Sequence, residues 1–350
     1  MGGQIQKTMR GILKSKPEEG AEYRTDLTVP EIGSRDILVR VKAAAICGTD
    51  QHIYKWGKFA QDRVPIPMVF GHEFSGDVVA VGDQVTEVKI GDRVAGETHI
   101  PCNHCYQCKT NNRHICENMK IIGVQVPGAF CDYISFPVDC AYIIGDEVTY
   151  EAGAMLEPMG VGVHGVDKGD VEGKDIAIYG CGPIGLMAVG AARVLGAKTI
   201  TAIDVCDNKL EVVQKMGADY TINSIKEDAA AKVLERTGHG VDVVLDYTGN
   251  EKAIHGGFSM LRKGGTFVIV GLPNGTTELS LCDEVIYKEA TVIGVTGREM
   301  YKTWEQCEMI LKDPRFNLTA VIGGIYPLAD YEEAFKQIFA GAPGKMILVL

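Results

Sequence analysis

The chain has 350 residues, and since a typical domain has about 150 residues, this length predicts two domains. Hydrophobic residues make up 46% of the sequence and charged residues 23%, which argues against a disordered chain. The net charge is −11 and no dense basic segment is present, so we expect no nucleic acid as a partner.

Two features of the sequence indicate where the protein is located in the cell. No stretch approaches the ~18–20 apolar residues that a membrane helix requires, and the N-terminus lacks the apolar core of a signal peptide. We therefore expect a cytoplasmic protein without a membrane partner, in which thiols stay reduced. Its eleven cysteines then indicate metal binding rather than disulfides. Residues 1–8 are expected to be an unstructured leader.

The first 150 residues contain short β segments separated by turns. Segment 37–43 alternates apolar and polar residues, and 78–81 and 94–95 follow Gly or Asp. The spacing of parallel βαβ units is absent here, so the pattern favours an antiparallel, barrel-like domain.

From about Asp175 the pattern changes to short apolar strands alternating with helices. The predicted strands are Asp175–Tyr179, Thr199–Asp204, 220–222, Val241–Asp246, 266–270 and 291–295. Helices are predicted at 184–195 and 208–216. Six such strands predict an α/β fold with a doubly wound parallel sheet. After Gly297 we predict helices at 304–311 and Tyr331–Phe339 and a last strand at 346–350, a tail that returns to the first domain.

A glycine-rich motif joins the first of these strands to the next helix. Gly180, Gly182 and Gly185 form G-x-G-x-x-G between strand Asp175–Tyr179 and a helix. Gly180 permits the tight turn, Gly182 lets a pyrophosphate approach, and Gly185 allows helix and strand to pack closely. Asp204 ends the second strand, where a carboxylate binds the ribose diol and repels a 2′-phosphate. The sequence therefore predicts a dinucleotide site selective for NAD.

Four cysteines lie close together in the first domain. Cys102, Cys105, Cys108 and Cys116 are spaced C-x2-C-x2-C-x7-C. Four thiolates suit a tetrahedral structural zinc with no open position. An iron–sulfur cluster is the alternative, although the last gap differs from the ferredoxin spacing.

A second candidate metal site consists of Cys47, His72 and Glu73. A thiolate, an imidazole and a carboxylate leave a fourth position for water or substrate. Other divalent ions could also occupy such a ligand set.

The motifs together resemble the zinc-dependent medium-chain alcohol dehydrogenase family, from Met9 to the C-terminus. The matching motifs are Cys47-Gly48-Thr49-Asp50, Gly71-His72-Glu73, the four cysteines, Glu157-Pro158 and Gly180–Gly185. This resemblance implies a GroES-like β-barrel catalytic domain over 1–160 and 298–350, with the structural zinc near 97–120. It also implies a Rossmann domain over 161–297, a homotetramer, and two zinc ions per subunit.

The resemblance also implies roles for individual residues. Cys47, His72 and Glu73 would bind the catalytic zinc, with Glu157 beside it. Thr49 and His52 would relay the substrate proton to solvent, and His99 would face the substrate. The residues implied to contact NAD, besides the three glycines, are Ile184, Asp204, Lys209, Val270, Gly271, Leu272, Val295 and Thr296.

The expected substrate is a small alcohol, and three motifs indicate which one. Residues 52–56, 97–100 and 297–304 most resemble those of family members that oxidise the β-hydroxyl of L-threonine. Val161-Gly162, however, replaces the usual Asn-Ala pair and is closer to dehydrogenases of sorbitol and butanediol. A zinc polyol or vicinal-diol dehydrogenase is therefore the alternative. A non-enzymatic cofactor-binding scaffold is a remote third, because the open-site ligands are all present.

Overall fold

The computed structural model describes residues 5–273 and 275–350, which form two compact units. Unit 1 contains the chain up to Glu157 and the C-terminal segment Ile322–Leu350, and unit 2 is Pro158–Val321. Of the expected leader, residues 1–4 lie outside the described residues, while the first strand already begins at Thr8.

Eighteen strands and ten α-helices are found in the described residues. The strands are β1 Thr8–Lys14, β2 Glu22–Thr28, β3 Asp36–Ala45, β4 Met68–Val69, β5 Glu73–Val81, β6 Arg93–Gly96, β7 His99–Ile100, β8 Lys120–Ile121, β9 Tyr133–Pro137, β10 Ala141–Ile143, β11 Asp175–Tyr179, β12 Thr199–Asp204, β13 Tyr220–Asn223, β14 Val241–Asp246, β15 Leu261–Ile269, β16 Thr291–Gly294, β17 Ile322–Pro327 and β18 Lys345–Val349. The helices are α1 Gly48–Tyr54, α2 Lys58–Arg63, α3 Tyr106–Lys109, α4 Tyr150–Gly169, α5 Pro183–Val194, α6 Asp207–Lys215, α7 Ala229–Thr237, α8 Glu251–Met260, α9 Lys302–Leu311 and α10 Tyr331–Phe339.

Unit 1 is built around a seven-stranded sheet. Its strand order is β10-β6-β5-β3-β18-β17, and β9 also pairs with β3. The pairs are antiparallel except β17 with β18. Aromatic rings fill the core, and Phe70 packs edge-on against Phe130 as Phe74 does against Phe136. Such edge-to-face pairs stabilise the core beyond the area they bury.

Unit 2 contains a six-stranded sheet in which every pair is parallel. The order β13-β12-β11-β14-β15-β16 places the first strand of the unit, β11, at the centre. Residues 176–178 of β11 are fully buried, as expected for a strand covered by helices on both faces. The two units confirm the predicted α/β fold class, with one barrel-like sheet and one doubly wound sheet.

The largest element that sequence patterns did not predict is α4, a helix of 20 residues. It contains Pro158 and five glycines, residue types that lower helix propensity. The glycines permit close packing, since a Cβ on Gly162 would lie 3.0 Å from the carbonyl oxygen of Ile184 on α5. Tertiary packing therefore outweighs local propensity along this helix.

The end of unit 2 also differs from the predicted boundary at Gly297. Residues 298–321 belong to unit 2 because their side chains bind its helices. Lys302 pairs with Asp167 of α4 at 2.6 Å, and a Cβ on Gly190 of α5 would contact the Phe316 ring. The returning tail therefore begins at β17.

No helix among the described residues is both long and apolar enough to span a membrane.

Candidate active site

Neighbouring central strands of the large sheet in unit 1 place the metal-binding candidates near the strand ends. In the β3–β5 pair Ala45 lies opposite Glu73, and in the β18–β3 pair Ile347 lies opposite Ala45. Cys47 follows the end of β3 by two residues. The strand ends therefore bring together residues that are distant in sequence.

The donor atoms of Cys47, His72 and Glu73 all lie within 4.8 Å of one another. His72 and Glu73 are buried and Cys47 is half-buried. Asp50, on the first turn of α1, accepts a hydrogen bond from the Cys47 backbone N–H at 2.8 Å. The other oxygen of Asp50 lies 3.5 Å from Nδ1 of His72. Asp50 thus lies beside the His72 ring, where histidines that bind metals commonly have a carboxylate neighbour.

The site carries more acidic than basic groups. Nζ of Lys345 lies 2.7 Å and 2.6 Å from the two carboxylate oxygens of Glu73. The pKa of Glu73 is raised to about 7, because burial and the neighbouring Glu157 raise it by more than Lys345 and His72 lower it. Burial lowers the pKa of His72, but Asp50 and Cys47 together leave it well above the usual value. Buried charges need compensation, so an excess of acidic donors at one point fits a divalent cation.

Three further predicted residues lie on unit 1 elements. Thr49, half-buried, and His52, exposed, are three positions apart on α1, immediately after Cys47. His99 is on β7, where its Nδ1 lies 3.1 Å from the carboxylate of Glu97. Glu97 is fully buried and also accepts the backbone N–H of His99 at 2.8 Å.

The four-cysteine lobe brings its sulfur atoms together. The donor atoms of Cys102, Cys105, Cys108 and Cys116 lie within 4.8 Å of one another. A backbone hydrogen bond from His104 lowers the pKa of the Cys102 thiol to about 6 and so favours the thiolate. The His104 ring instead contacts the Cys102 carbonyl oxygen at 2.7 Å. Four sulfur donors and no imidazole in the cluster fit a closed tetrahedral zinc site.

In unit 2 the three motif glycines have different surroundings. Gly180 has φ +92°, which glycine adopts without strain. A Cβ on Gly185 would lie 1.8 Å from the Gly180 carbonyl oxygen, whereas one on Gly182 would meet no atom within 4 Å. Gly182 is the N-cap of α5 and the space beside its Cα is open, so a phosphate can approach the N-terminus of that helix.

Asp204 lies at the end of β12 beside this turn. Its carboxylate accepts backbone N–H groups of Cys181 at 2.7 Å, Val205 at 2.8 Å and Cys206 at 2.9 Å. It also lines a cavity of about 720 Å³ that extends to Thr248 and α8. The cavity thus begins at the predicted ribose-binding carboxylate.

The remaining predicted cofactor residues follow strand or helix ends in unit 2. Ile184 and Lys209 are half-buried in the first turns of α5 and α6. The other five residues follow the carboxyl ends of β15 and β16. Open parallel sheets bind ligands at this end of their strands. These residues are Val270, Gly271, Leu272, Val295 and Thr296. Leu272 is 84% exposed, a large apolar side chain available to a ligand.

Sequence reasoning did not identify Lys345 or Asp50 as part of the metal-binding cluster. Lys345 lies 272 residues from its partner Glu73, so no local signal connects them. Asp50 belongs to the motif Cys47-Gly48-Thr49-Asp50, so its position three residues after Cys47 was a sequence signal for a role in the cluster.

Comparison with known proteins places these sites in context. Residues 33–146 match the alcohol dehydrogenase GroES-like domain, and residues 183–312 match the zinc-binding dehydrogenase domain. The L-threonine 3-dehydrogenase of Caldanaerobacter subterraneus subsp. tengcongensis is 41% identical over 97% of this chain and 98% of its own.

Two solved structures are similar over nearly the whole chain. A zinc-binding dehydrogenase from Sinorhizobium meliloti bound to NADP has a TM-score of 0.90 and 27% identity, covering 99% of this chain and 100% of its own. The 2R,3R-butanediol dehydrogenase from Bacillus subtilis has a TM-score of 0.88 and 28% identity, covering 98% and 99%.

Proposed function

This chain belongs to the zinc-binding alcohol dehydrogenase family, and on that premise we propose that it oxidises L-threonine to 2-amino-3-oxobutanoate with NAD. The observation that carries the proposal is the full-length similarity to an L-threonine 3-dehydrogenase, with Cys47, His72 and Glu73 drawn together in this chain. The reaction transfers a hydride from the β-carbon to NAD and releases one proton from the β-hydroxyl.

Cys47, His72 and Glu73 would hold the catalytic zinc. Zinc bound there supplies Lewis acidity that lowers the pKa of the substrate hydroxyl, while the nicotinamide ring accepts the hydride. Asp50 orients His72, and Lys345 fixes the carboxylate of Glu73. The buried Glu157 lies near enough to Glu73 to raise its pKa, which places a second carboxylate beside the ligands.

The hydroxyl proton needs a route out of the site. Thr49 is half-buried and His52 is exposed on the same short helix, so α1 spans from the ligand Cys47 to solvent. A histidine has a pKa near neutrality and can pass a proton to water. We assign Thr49 and His52 to this relay, and His99 to the substrate side of the site.

The structural zinc and the cofactor are assigned in the same way. The four-cysteine lobe would hold a second, structural zinc ion, so that each subunit binds two. The fixed carboxylate of Asp204 would accept the ribose hydroxyls and select NAD, whereas the related S. meliloti structure holds NADP. The glycine turn would bind the pyrophosphate, and the residues after β15 and β16 would contact the nicotinamide half.

The alternative substrate class is a vicinal diol or polyol. It is favoured by Val161-Gly162 and by the similarity to a butanediol dehydrogenase. Packing explains the glycine, since Gly162 lies against α5 and its carbonyl oxygen accepts a hydrogen bond from the Tyr247 hydroxyl at 2.8 Å. The glycine therefore needs no diol substrate to explain it. We therefore place L-threonine first.

A substrate comparison tests the choice. NADH formation is measured with L-threonine, 2,3-butanediol and sorbitol at equal concentrations, and kcat/KM is compared. We expect L-threonine to have the highest kcat/KM. Turnover of a diol or polyol without turnover of L-threonine would replace the proposal by the alternative.

A homotetramer is the proposed assembly. The edge strand β16 and the preceding segment carry exposed apolar side chains, among them Leu281, Ile286 and Tyr287. Exposed apolar groups beside an open sheet edge favour pairing with another chain. Light scattering of the purified protein should give four times the 37.8 kDa chain mass, and a monomer would contradict the proposal.

A further inference from the structure

One face of the C-terminal half of α4 binds the segment that follows β16. Gly160, His164 and Asp167 follow one another at spacings of four and three residues, and Lys168 is four residues after His164, so these residues lie on one side of the helix. His164 and Lys168 bind residues more than 130 positions away in sequence.

His164 makes the first contact. Its side chain is almost fully buried, and Nδ1–H donates to the Gly297 carbonyl oxygen at 3.0 Å. Gly297 has φ +57°, a backbone conformation in the left-handed region. The hydrogen bond thus holds a sharp turn immediately after Val295 and Thr296.

Glu299 forms the second contact through its carboxylate. It lies 2.7 Å from Nζ of Lys168, 3.2 Å from Nζ of Lys302 and 3.8 Å from Nε2 of His164. Asp167 in turn binds Lys302 at 2.6 Å and Gln306 at 2.8 Å. Each charged residue of this face of α4 therefore pairs with an opposite charge on Glu299 or Lys302.

Arg298 lies between these two contacts. Its side chain is 1% exposed, and its guanidinium carbon lies 5.8 Å from the centre of the Trp304 ring. A Cβ on Gly160 would come within 2.9 Å of the Arg298 side chain, so glycine at position 160 leaves room for the buried arginine.

We propose that this α4 clamp, formed by Gly160, His164, Asp167 and Lys168, positions the backbone of Val295 and Thr296 for the nicotinamide half of the cofactor. The residues of the clamp do not touch the cofactor themselves; they act through Gly297 and Glu299. The segment needs such support because its other anchor is a strand at the edge of the sheet, where Val295 N–H donates to Ile269 at 2.9 Å. The inference rests on the proposed function, which places the nicotinamide at these two residues.

The test compares two probes of the cofactor site in purified, zinc-loaded protein. The dissociation constant of NADH, measured by fluorescence, reports binding of the whole cofactor, and inhibition by ADP-ribose reports binding of the cofactor without its nicotinamide ring. His164→Leu removes the Nδ1–H donor, whereas His164→Asn retains an N–H donor. Lys174→Met is the control, because Lys174 pairs with Asp170 at 2.8 Å outside the clamp.

His164→Leu is expected to weaken NADH binding about tenfold, the loss typical of one buried hydrogen bond. ADP-ribose inhibition should remain unchanged, His164→Asn should recover most of the NADH affinity, and Lys174→Met should match the wild type. Unchanged NADH binding by His164→Leu, or equal weakening of both ligands, would overturn the inference.

A second variant keeps the test decisive if His164→Leu does not fold. Glu299→Gln retains the side-chain size but removes the charge that Lys168 and Lys302 bind, so it should also weaken NADH and spare ADP-ribose. NADH binding equal to that of the wild type would overturn the inference. A wild-type protein that binds neither ligand would instead overturn the proposed function on which the inference depends.

Discussion

At the scale of single residues, Asp204 is held in place by backbone hydrogen bonds. Three backbone N–H groups point at its two oxygens, and its side chain is 8% exposed. A carboxylate fixed in this way discriminates by charge and by hydrogen bonding, since it attracts a diol and repels a phosphate.

Asp204→Asn should therefore reduce the preference for NAD over NADP. The amide has the same size but no charge, so repulsion of the 2′-phosphate is lost. We expect the ratio of the two kcat/KM values to fall about tenfold, which corresponds to about 1.4 kcal/mol. Asp207→Asn, an exposed carboxylate three positions on, should leave the ratio unchanged. An unaltered ratio for Asp204→Asn would remove this residue from the ribose site.

Cys47 can be tested in a similar way. Cys47→Ser replaces a soft thiolate ligand with a hydroxyl that binds zinc poorly. Activity should fall by more than the roughly 100-fold that loss of a residue behind a ligand costs, with circular dichroism unchanged and one zinc fewer per subunit by mass spectrometry. Cys282→Ser, at an exposed cysteine, is the control. Full activity with an unchanged zinc content would contradict the assignment.

At the scale of elements, the turn between β11 and α5 separates a folding role from a binding role. A methyl group on Gly185 would overlap the Gly180 carbonyl oxygen, whereas a methyl group on Gly182 meets only open space. The same glycine motif thus contains one position required by packing and one open position, which we propose for the pyrophosphate.

Substitution of each glycine by alanine should separate these roles. Gly185→Ala should lower the free energy of unfolding by about 1–3 kcal/mol, the usual cost of overpacking. Gly182→Ala should keep the wild-type melting temperature but bind NADH more weakly, because the methyl group occupies the space of the phosphate. Thermal unfolding and NADH titration of both variants give the comparison, and equal effects of the two substitutions would refute the distinction.

The last strand, β18, contributes a charge to the candidate metal-binding cluster of unit 1. Lys345 is buried with Glu73, and burial lowers its pKa while Glu73 and Cys47 raise it above the usual value. Removing one partner of a buried ion pair leaves an uncompensated charge, at a cost of about 3–5 kcal/mol.

Lys345→Met should consequently destabilise the protein by an amount of that order in the absence of zinc. Lys345→Arg keeps the charge and should be milder. Urea unfolding of the zinc-free variants measures the difference, with Lys198→Met as the control at an exposed ion pair to Asp175. Equal stability of Lys345→Met and the wild type would show that Glu73 needs no partner.

Local patterns predicted many elements well. The strands Asp175–Tyr179, Thr199–Asp204 and Val241–Asp246 occur with the predicted bounds, because short apolar runs between turn residues are typical of a buried parallel sheet. Helix α4 was missed because its glycines and Pro158 are explained only by the neighbours they pack against. Contacts over long sequence separations leave no local signal, and Lys345 with Glu73 is the plainest case.

At the scale of the whole molecule, the change of pattern along the chain predicted two units of different architecture. The structure divides first after Glu157, and the sequence pattern predicts this boundary near residue 160. The second boundary lies at Val321 rather than Gly297, because contacts from residues such as Lys302 and Phe316 hold that segment to unit 2. Ligand residue types and spacing predicted the two candidate metal-binding clusters, whereas the charges around them could be identified only from the fold.

The most direct test of the account is zinc-dependent formation of NADH from L-threonine and NAD. The initial rate is measured before and after treatment with a chelator, and again after zinc is added back, for the wild type and for Cys47→Ser. We predict activity that the chelator removes and zinc restores in the wild type, and no activity in Cys47→Ser at any stage. Threonine oxidation that survives complete removal of zinc, or that Cys47→Ser retains, would contradict the account.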